Sequence, residues 1–252
     1  MLMKWRIALV GLITLFFSCE KKSIPASEYD VGYDYYPQTI GKYVIYVADS
    51  TIYDEFTFAA TTYKYLIKEK IEEEFTDPEG KPALRLVRYI KKYDSTKTYD
   101  QIAWAVKDAW QVNVSATSLE VVEENVRFTK LAFPVKTNAS WNGNAKNTLG
   151  EWMYSYKYMD KKETINATYL DKMQSVNSAV PLEKVAFVKQ KDFLTAISYD
   201  YYIEKYARGI GLVYREIKAL TTNSPQFGVP IENNSARKGT IYKLTILSYG
   251  TE

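Results

Sequence analysis

Hydrophobic and polar residues alternate with a period of two along most of the chain after residue 40. Residues 43–48 are apolar on both alternating faces, which predicts a strand buried on two sides. Residues 103–114 place Trp104, Val106, Trp110, Val112 and Val114 on one face of a second strand. The same period predicts further strands over residues 61–75, 84–93, 119–123, 126–133, 151–160, 182–189, 193–206, 210–220 and 240–249.

Turn-forming residues separate these segments. Asp77-Pro78-Glu79-Gly80 is typical of a tight turn, and residues 138–150 and 223–238 are rich in Asn, Gly, Pro and Ser. We therefore predict a mainly β domain over residues 38–252, with antiparallel sheets that form a sandwich or a curved open barrel and little helix. A short similarity between residues 39–46 and 148–155 leaves two interpretations open: two similar halves, residues 38–134 and 148–252, or a chance match between two β segments.

The N-terminal segment follows a different pattern. Lys4 and Arg6 precede eleven uncharged residues, 7–17, which end at Ser18-Cys19. A basic start, a short apolar stretch and a small residue before the cleavage point are typical of a secretory signal peptide. The alternative is a buried N-terminal helix with a core cysteine, because the apolar stretch is shorter than the roughly 20 residues that span a bilayer.

Composition narrows the possible chemistry. The chain has no histidine and one cysteine, which excludes Ser-His-Asp catalysis and the common zinc sites. We predict no cofactor and no metal. The net charge of +3 includes Lys4 and Arg6, so the remainder is nearly neutral and predicts no nucleic-acid binding. The 23 tyrosines favour half-buried β structure.

Carboxylates and exposed aromatics are the remaining candidate groups. Glu72–Glu74 and the set Glu120, Glu123 and Glu124 could supply a glycosidase pair, but runs of Glu on strands are more typical of a solvated face. Catalytic residues are therefore predicted to be absent. Trp141 lies in a polar loop, where we predict an exposed ring and a possible ligand contact such as a sugar.

Several segments resemble uncharacterised lipoproteins of the Bacteroidota. They are Ser18-Cys19-Glu20-Lys21-Lys22, residues 41–49, residues 148–154 and residues 209–216. The segment Leu15-Phe16-Phe17-Ser18-Cys19 resembles a lipobox, which implies cleavage between Ser18 and Cys19 and acylation of Cys19. The resemblance implies a signal peptide over 1–18, an acylated cysteine with a flexible tether over 19–37, and a β-rich domain of unknown function.

The function expected from these observations is non-enzymatic. We expect an envelope lipoprotein, held at the outer membrane by its acyl chains and facing the periplasm or the cell surface, with a binding or structural role. One alternative is a carrier or sensor of a hydrophobic ligand in a curved-sheet cavity. A second is a glycan-binding surface lipoprotein. The expected partners are the membrane and an envelope protein, a lipid or a glycan.

Overall fold

The structure is a computed structural model that describes residues 29–235 and 237–252. The signal peptide, Ser18, Cys19 and most of the predicted tether lie outside these residues. The described residues form twelve strands: β1 (Lys42–Tyr53), β2 (Ala60–Thr76), β3 (Pro82–Lys92), β4 (Ala105–Val114), β5 (Ser118–Glu123), β6 (Val126–Ala132), β7 (Ser140–Asn142), β8 (Met153–Asp171), β9 (Gln174–Leu194), β10 (Ser198–Ala207), β11 (Gly211–Thr222) and β12 (Arg237–Thr251).

All twelve strands belong to one antiparallel sheet, in the order β6-β5-β4-β3-β2-β1-β12-β11-β10-β9-β8-β7. The sheet curls into a nearly closed barrel shape, so the mainly β prediction is confirmed as the barrel form rather than the sandwich. Strands adjacent in sequence pair with each other within β1–β6 and within β7–β12, and the pairing of β1 with β12 joins these two runs. Within residues 29–235 and 237–252, helix is confined to three short 3-10 turns at Tyr33–Tyr35, Tyr99–Gln101 and Ile231–Asn233.

The sheet has two ends that we name by their connections. Turns after β1, β3, β5, β9 and β11 lie at the upper end, and turns after β2, β4 and β10 lie at the lower end, because strand direction alternates. The segment before β1 packs at the lower end. Tyr35 and Tyr36 are buried there, and the backbone N–H of Val135 donates to the carbonyl of Val31.

A seam remains between the edge strands β6 and β7. Individual hydrogen bonds cross it. The Thr129 N–H donates to the Gly143 carbonyl at 2.9 Å, and the Thr129 carbonyl accepts from the Trp141 indole at 2.8 Å. The Tyr156 hydroxyl bonds to the backbone of Ala132, and the Asn147 side chain donates to the Arg127 carbonyl. Gly143 is required by close packing, since a Cβ at this position would lie 2.3 Å from the Tyr154 ring. The seam is therefore narrow but lacks a ladder.

The hairpin of β8 and β9 is much longer than predicted. Its pairing shifts register three times between Tyr156 and Glu163, and these irregularities bend the strand. Beyond the bend, Ala167 packs with Val47 and Leu66 on the outer face of β1 and β2. Residues 161–181 carry no strand prediction, although Ile165, Ala167 and Tyr169 alternate with polar residues there.

One predicted face is wrong in part. Trp110 and Val112 point into the barrel and are buried, as their shared face predicts. Val106 is 69% exposed, because the pairing jumps from Arg88 with Asp108 to Tyr89 with Val106. The extra residue, Lys107, reverses the alternation, which a strict period of two cannot reveal.

The covering of the outer face by the long hairpin can be tested at Leu66. Leu66→Ala is expected to lower the free energy of unfolding by about 2–5 kcal/mol, because it removes buried methyl groups beneath the hairpin. Urea denaturation measures this change. Ile52→Ala is the control, since Ile52 is exposed and its truncation should cost little. Equal, small effects of both substitutions would contradict the covering contact.

Candidate functional site

Charged side chains fill the upper part of the barrel interior. The register places opposite charges directly across from one another: Glu69 faces Arg88 and Glu204 faces Arg215. Cross-strand pairs of this kind favour their register. With their contacts they form a set that we call the ionic cluster, made of four acidic and four basic residues: Glu69, Asp108, Glu123, Glu204, Arg88, Lys107, Lys130 and Arg215.

Four members form a closed ring of alternating charge. Lys130 Nζ lies 2.9 Å from Glu123 Oε1 and 3.1 Å from Glu204 Oε1. Arg215 Nη2 lies 2.8 Å from Glu123 Oε1 and 2.7 Å from Glu204 Oε1. Because Glu123 and Lys130 come from β5 and β6 while Glu204 and Arg215 come from β10 and β11, the ring crosses the interior between the two runs of strands.

The rest of the cluster lies on β2, β3 and β4. Arg88 Nε donates to Glu69 Oε1 at 3.0 Å, and its Nη1 lies 3.2 Å from both oxygens of Asp108. The guanidinium of Arg88 also stacks on Trp110, with 3.8 Å between its Cζ and the ring centroid. Tyr46 donates to the Leu212 carbonyl and contacts Glu69, so this side of the cluster is tied to β11 as well.

The cluster holds its carboxylates in the ionised form. Burial alone would raise the pKa of Glu123, but Arg215 and Lys130 outweigh that effect and lower it to about 2. The pKa of Glu204 is also lowered, since the same two cations outweigh its burial. Burial would lower the pKa of Lys130, yet Glu123 and Glu204 raise it. Each charge therefore fixes the ionisation of its neighbours.

An open cavity of about 480 Å3 lies at the upper end, directly over the cluster; we call it the mouth cavity. Its aromatic and aliphatic walls come from β2, β4, β6, β11 and β12, and its charged floor includes Arg88 and Arg215. The lining residues are Tyr65, Arg88, Lys107, Trp110, Glu123, Glu124, Val126, Phe128, Arg215, Ile217 and Tyr242.

Two buried donors border this cavity without a protein acceptor. Within residues 29–235 and 237–252, the Nε1 atom of Trp110 and the Nε atom of Arg215 have no hydrogen-bond partner. Trp110 is 7% exposed and Arg215 is 5% exposed. An unpaired buried donor costs free energy, so such atoms often mark a functional position.

A second cavity lies inside the lower wall, beside Tyr36, Tyr46 and Leu212. Its volume is about 30 Å3, which accommodates about one water molecule. Tyrosines and aliphatic side chains, among them Tyr35, Tyr156, Leu119 and Leu131, fill the interior around it.

Of the candidate residues named from the sequence, Glu123 and Glu124 line the mouth cavity. Trp141, Glu120 and Glu72–Glu74 do not. Trp141 is 9% exposed in β7 rather than displayed on a loop, so the prediction of an exposed ring is wrong. Its indole bonds across the seam and its ring packs on Tyr154 and Tyr156, which accounts for the burial. The role of Trp141 as a ligand contact stays untested.

The glutamate runs divide between surface and interior. Glu73 pairs with Arg85 on the surface, as a solvated face predicts. Glu123 turns inward to the ionic ring, and Glu124 stays exposed at the rim of the mouth cavity. The signal that distinguishes Glu123 is its place on the same alternating face as Leu119 and Val121, both buried.

Comparison with known proteins gives limited information. No family model and no curated protein matches the chain. The fold is similar to crystal structures of a "putative lipoprotein" from Parabacteroides distasonis and a "putative exported protein with YmcC-like fold" from Bacteroides fragilis. Each is 11% identical over 86% of this chain and 98% of the other, with TM-scores of 0.36 and 0.34. Likenesses at this level carry no functional argument.

Among the described residues, no helix has the length and apolar character needed to cross a bilayer.

The lowered pKa of Glu123 predicts acid sensitivity. Its pKa in the folded protein, about 2, lies below the ordinary 4.5, so its contribution to stability is complete above pH 4.5 and is lost as the pH falls toward 2. Urea denaturation across this range should show a smaller pH-dependent loss for Glu123→Gln than for the wild type. Glu73→Gln removes an exposed carboxylate and should keep the wild-type slope. Equal slopes for all three proteins would contradict the ionic ring.

Proposed function

We propose that this protein is a membrane-anchored envelope lipoprotein with a non-enzymatic binding role, and that its ligand enters the mouth cavity. The observation that carries the proposal is the open cavity over a fully paired ionic cluster, whose ring of Glu123, Lys130, Glu204 and Arg215 lies in the barrel interior. Its volume falls in the range of about 300–1,000 Å3 that is usual for small-molecule sites. The paired charges give the cavity a floor with a fixed arrangement of polar groups.

The ionisation of the carboxylates supports a role without catalysis. A general acid near neutral pH needs a carboxyl group whose pKa is raised, as in glycosidases. In the ionic ring both carboxyl groups have lowered pKa values. The pKa of Glu123 is about 2, and that of Glu204 lies below its ordinary value. Both carboxylates also bind Lys130 and Arg215, so neither is free to accept a proton from a ligand.

The membrane attachment in this proposal depends on Cys19. Residues 15–19 resemble a lipobox, and acyl chains on Cys19 would supply the anchor. Within the barrel, Val31 lies at the lower end, where its carbonyl accepts from Val135, whereas the mouth cavity opens at the upper end.

The hydrophobic-carrier alternative gains no support from the interior. A carried lipid needs an apolar cavity of several hundred Å3, and the cavity in the lower wall has about 30 Å3. The larger mouth cavity has a charged floor, which disfavours an apolar chain because burying its ions against hydrocarbon is costly.

The anchor can be tested by Cys19→Ala. We expect the variant to lose acylation and to leave the membrane fraction, as measured by fractionation and by intact-mass analysis of the mature protein. Cys19 is the single cysteine of the chain, so any thioether-linked lipid must be at this residue. Membrane retention equal to that of the wild type would contradict the anchor.

The binding site can be tested by filling the mouth cavity. We expect full-length protein from its native envelope, examined by native mass spectrometry in detergent, to carry a small molecule that Val126→Trp loses, because Val126 lines the cavity. Val106→Trp is the matched control, since Val106 is exposed and lies outside the cavity lining. A wild-type protein that carries nothing, or equal retention by both variants, would contradict the site.

A further inference from the structure

The chemical class of the ligand can be inferred from the groups that the mouth cavity offers. Two N–H groups beside it have no acceptor in the described part of the chain: the indole of Trp110 and the Nε of Arg215. They lie in one region, because the Arg215 guanidinium carbon is 5.5 Å from the Trp110 ring centroid. A ligand that brings an acceptor oxygen to this region removes the cost of leaving both donors unpaired.

Charge balance indicates that this acceptor is uncharged. The ionic cluster contains four acidic and four basic side chains, and each of them contacts at least one opposite charge. A carboxylate or phosphate added beside the cluster would be an unbalanced charge in a buried setting, which is strongly disfavoured. A hydroxyl oxygen accepts the same hydrogen bonds and leaves the balance unchanged.

The walls of the cavity add a second requirement. Tyr65, Tyr242 and Phe128 line the cavity with aromatic rings, and Val126 and Ile217 add aliphatic surface. A ligand that suits this lining presents C–H groups on its faces and hydroxyl groups at its edge. Sugar rings combine these two features, whereas simple alcohols lack the faces and lipids lack the hydroxyl edge.

We propose that the mouth cavity binds an uncharged saccharide, whose hydroxyl oxygens accept hydrogen bonds from Trp110 Nε1 and Arg215 Nε. This inference rests on the proposed function and names the ligand class of the same site. Both nitrogens are covered by neighbouring atoms, and both belong to residues that line the cavity. Binding therefore requires the side chains that cover Trp110 Nε1 and Arg215 Nε to move aside.

The test uses the indole N–H resonances of the full-length protein in detergent, labelled with 15N at tryptophan. Maltose, lactose, cellobiose and chitobiose serve as uncharged probes; digalacturonic acid and inorganic phosphate serve as charged probes. The expected result is a saturable shift of the Trp110 resonance with at least one uncharged probe. Trp141 and Trp152 are internal references, because their indoles already donate to the carbonyls of Thr129 and Gln190.

A matched pair of variants tests the role of the Trp110 donor. Trp110→Phe keeps an aromatic ring but lacks the N–H, so the affinity for the bound saccharide should fall about tenfold by calorimetry. Trp104→Phe makes the same change outside the mouth cavity and should keep the wild-type affinity. Equal affinities of the two variants would overturn the assignment of the donor.

The remaining outcomes separate this inference from the proposed function. A Trp110 shift with digalacturonic acid or phosphate alone would overturn the uncharged class while the cavity remains a binding site. No Trp110 shift with any uncharged probe, up to its solubility limit, would overturn the saccharide inference. Loss of the co-purified molecule from Val126→Trp would still support the proposed function in either case, because that measurement does not depend on the ligand class.

Discussion

The ionic ring of Glu123, Lys130, Glu204 and Arg215 is the interaction on which the rest of the structure depends. Charges inside a protein are tolerated when each has a partner at hydrogen-bond distance, and here each cation contacts both carboxylates. The ring joins β5 and β6 to β10 and β11 through the interior, while the seam between β6 and β7 is bridged by individual hydrogen bonds and has no ladder. Opposite walls of the barrel are thus held together from within.

The charged layer in the interior favours one strand register, at a cost in stability. An apolar layer of the same volume would avoid the desolvation of the buried charges, and in other proteins such replacements are often neutral or stabilising. A charged layer accepts few alternative registers, because a slip by one residue would turn Glu204 and Arg215 out of the interior. The same fixed charges form the floor of the mouth cavity, so the requirement of the fold and that of the site are met by the same side chains.

Much of the fold could be predicted from alternation alone. The strands over residues 60–76 and 211–222 lie close to the predicted 61–75 and 210–220, whereas β1 runs to Tyr53, beyond the predicted 43–48. The long hairpin of β8 and β9 could not be predicted, because it covers the outer face of the sheet after its bend. Its partner surface is set by the tertiary fold, which no local pattern contains.

The candidate site was harder to predict. Glu123, Glu204 and Arg215 are each a single charge on an apolar face, and such a position is unremarkable until the sheet brings several together. For Trp141 the polar neighbours led to a prediction of exposure, but the ring is buried. Those neighbours form the turn beside the seam, while the ring itself packs in the interior. Composition describes a segment, whereas burial depends on which way each side chain points.

The pairing of β1 with β12 has a consequence for the order of assembly. Every other pair in the sheet joins strands adjacent in sequence, whereas this pair brings Lys42 to Thr251. Pairing β1 with β12 closes the longest loop of the fold, so it has the largest cost in chain entropy. Hairpins that have already formed between the two strands shorten the effective loop and lower that cost. One edge of β1 therefore stays unpaired until β12 has formed, and an unpaired strand edge of this kind can pair with another chain.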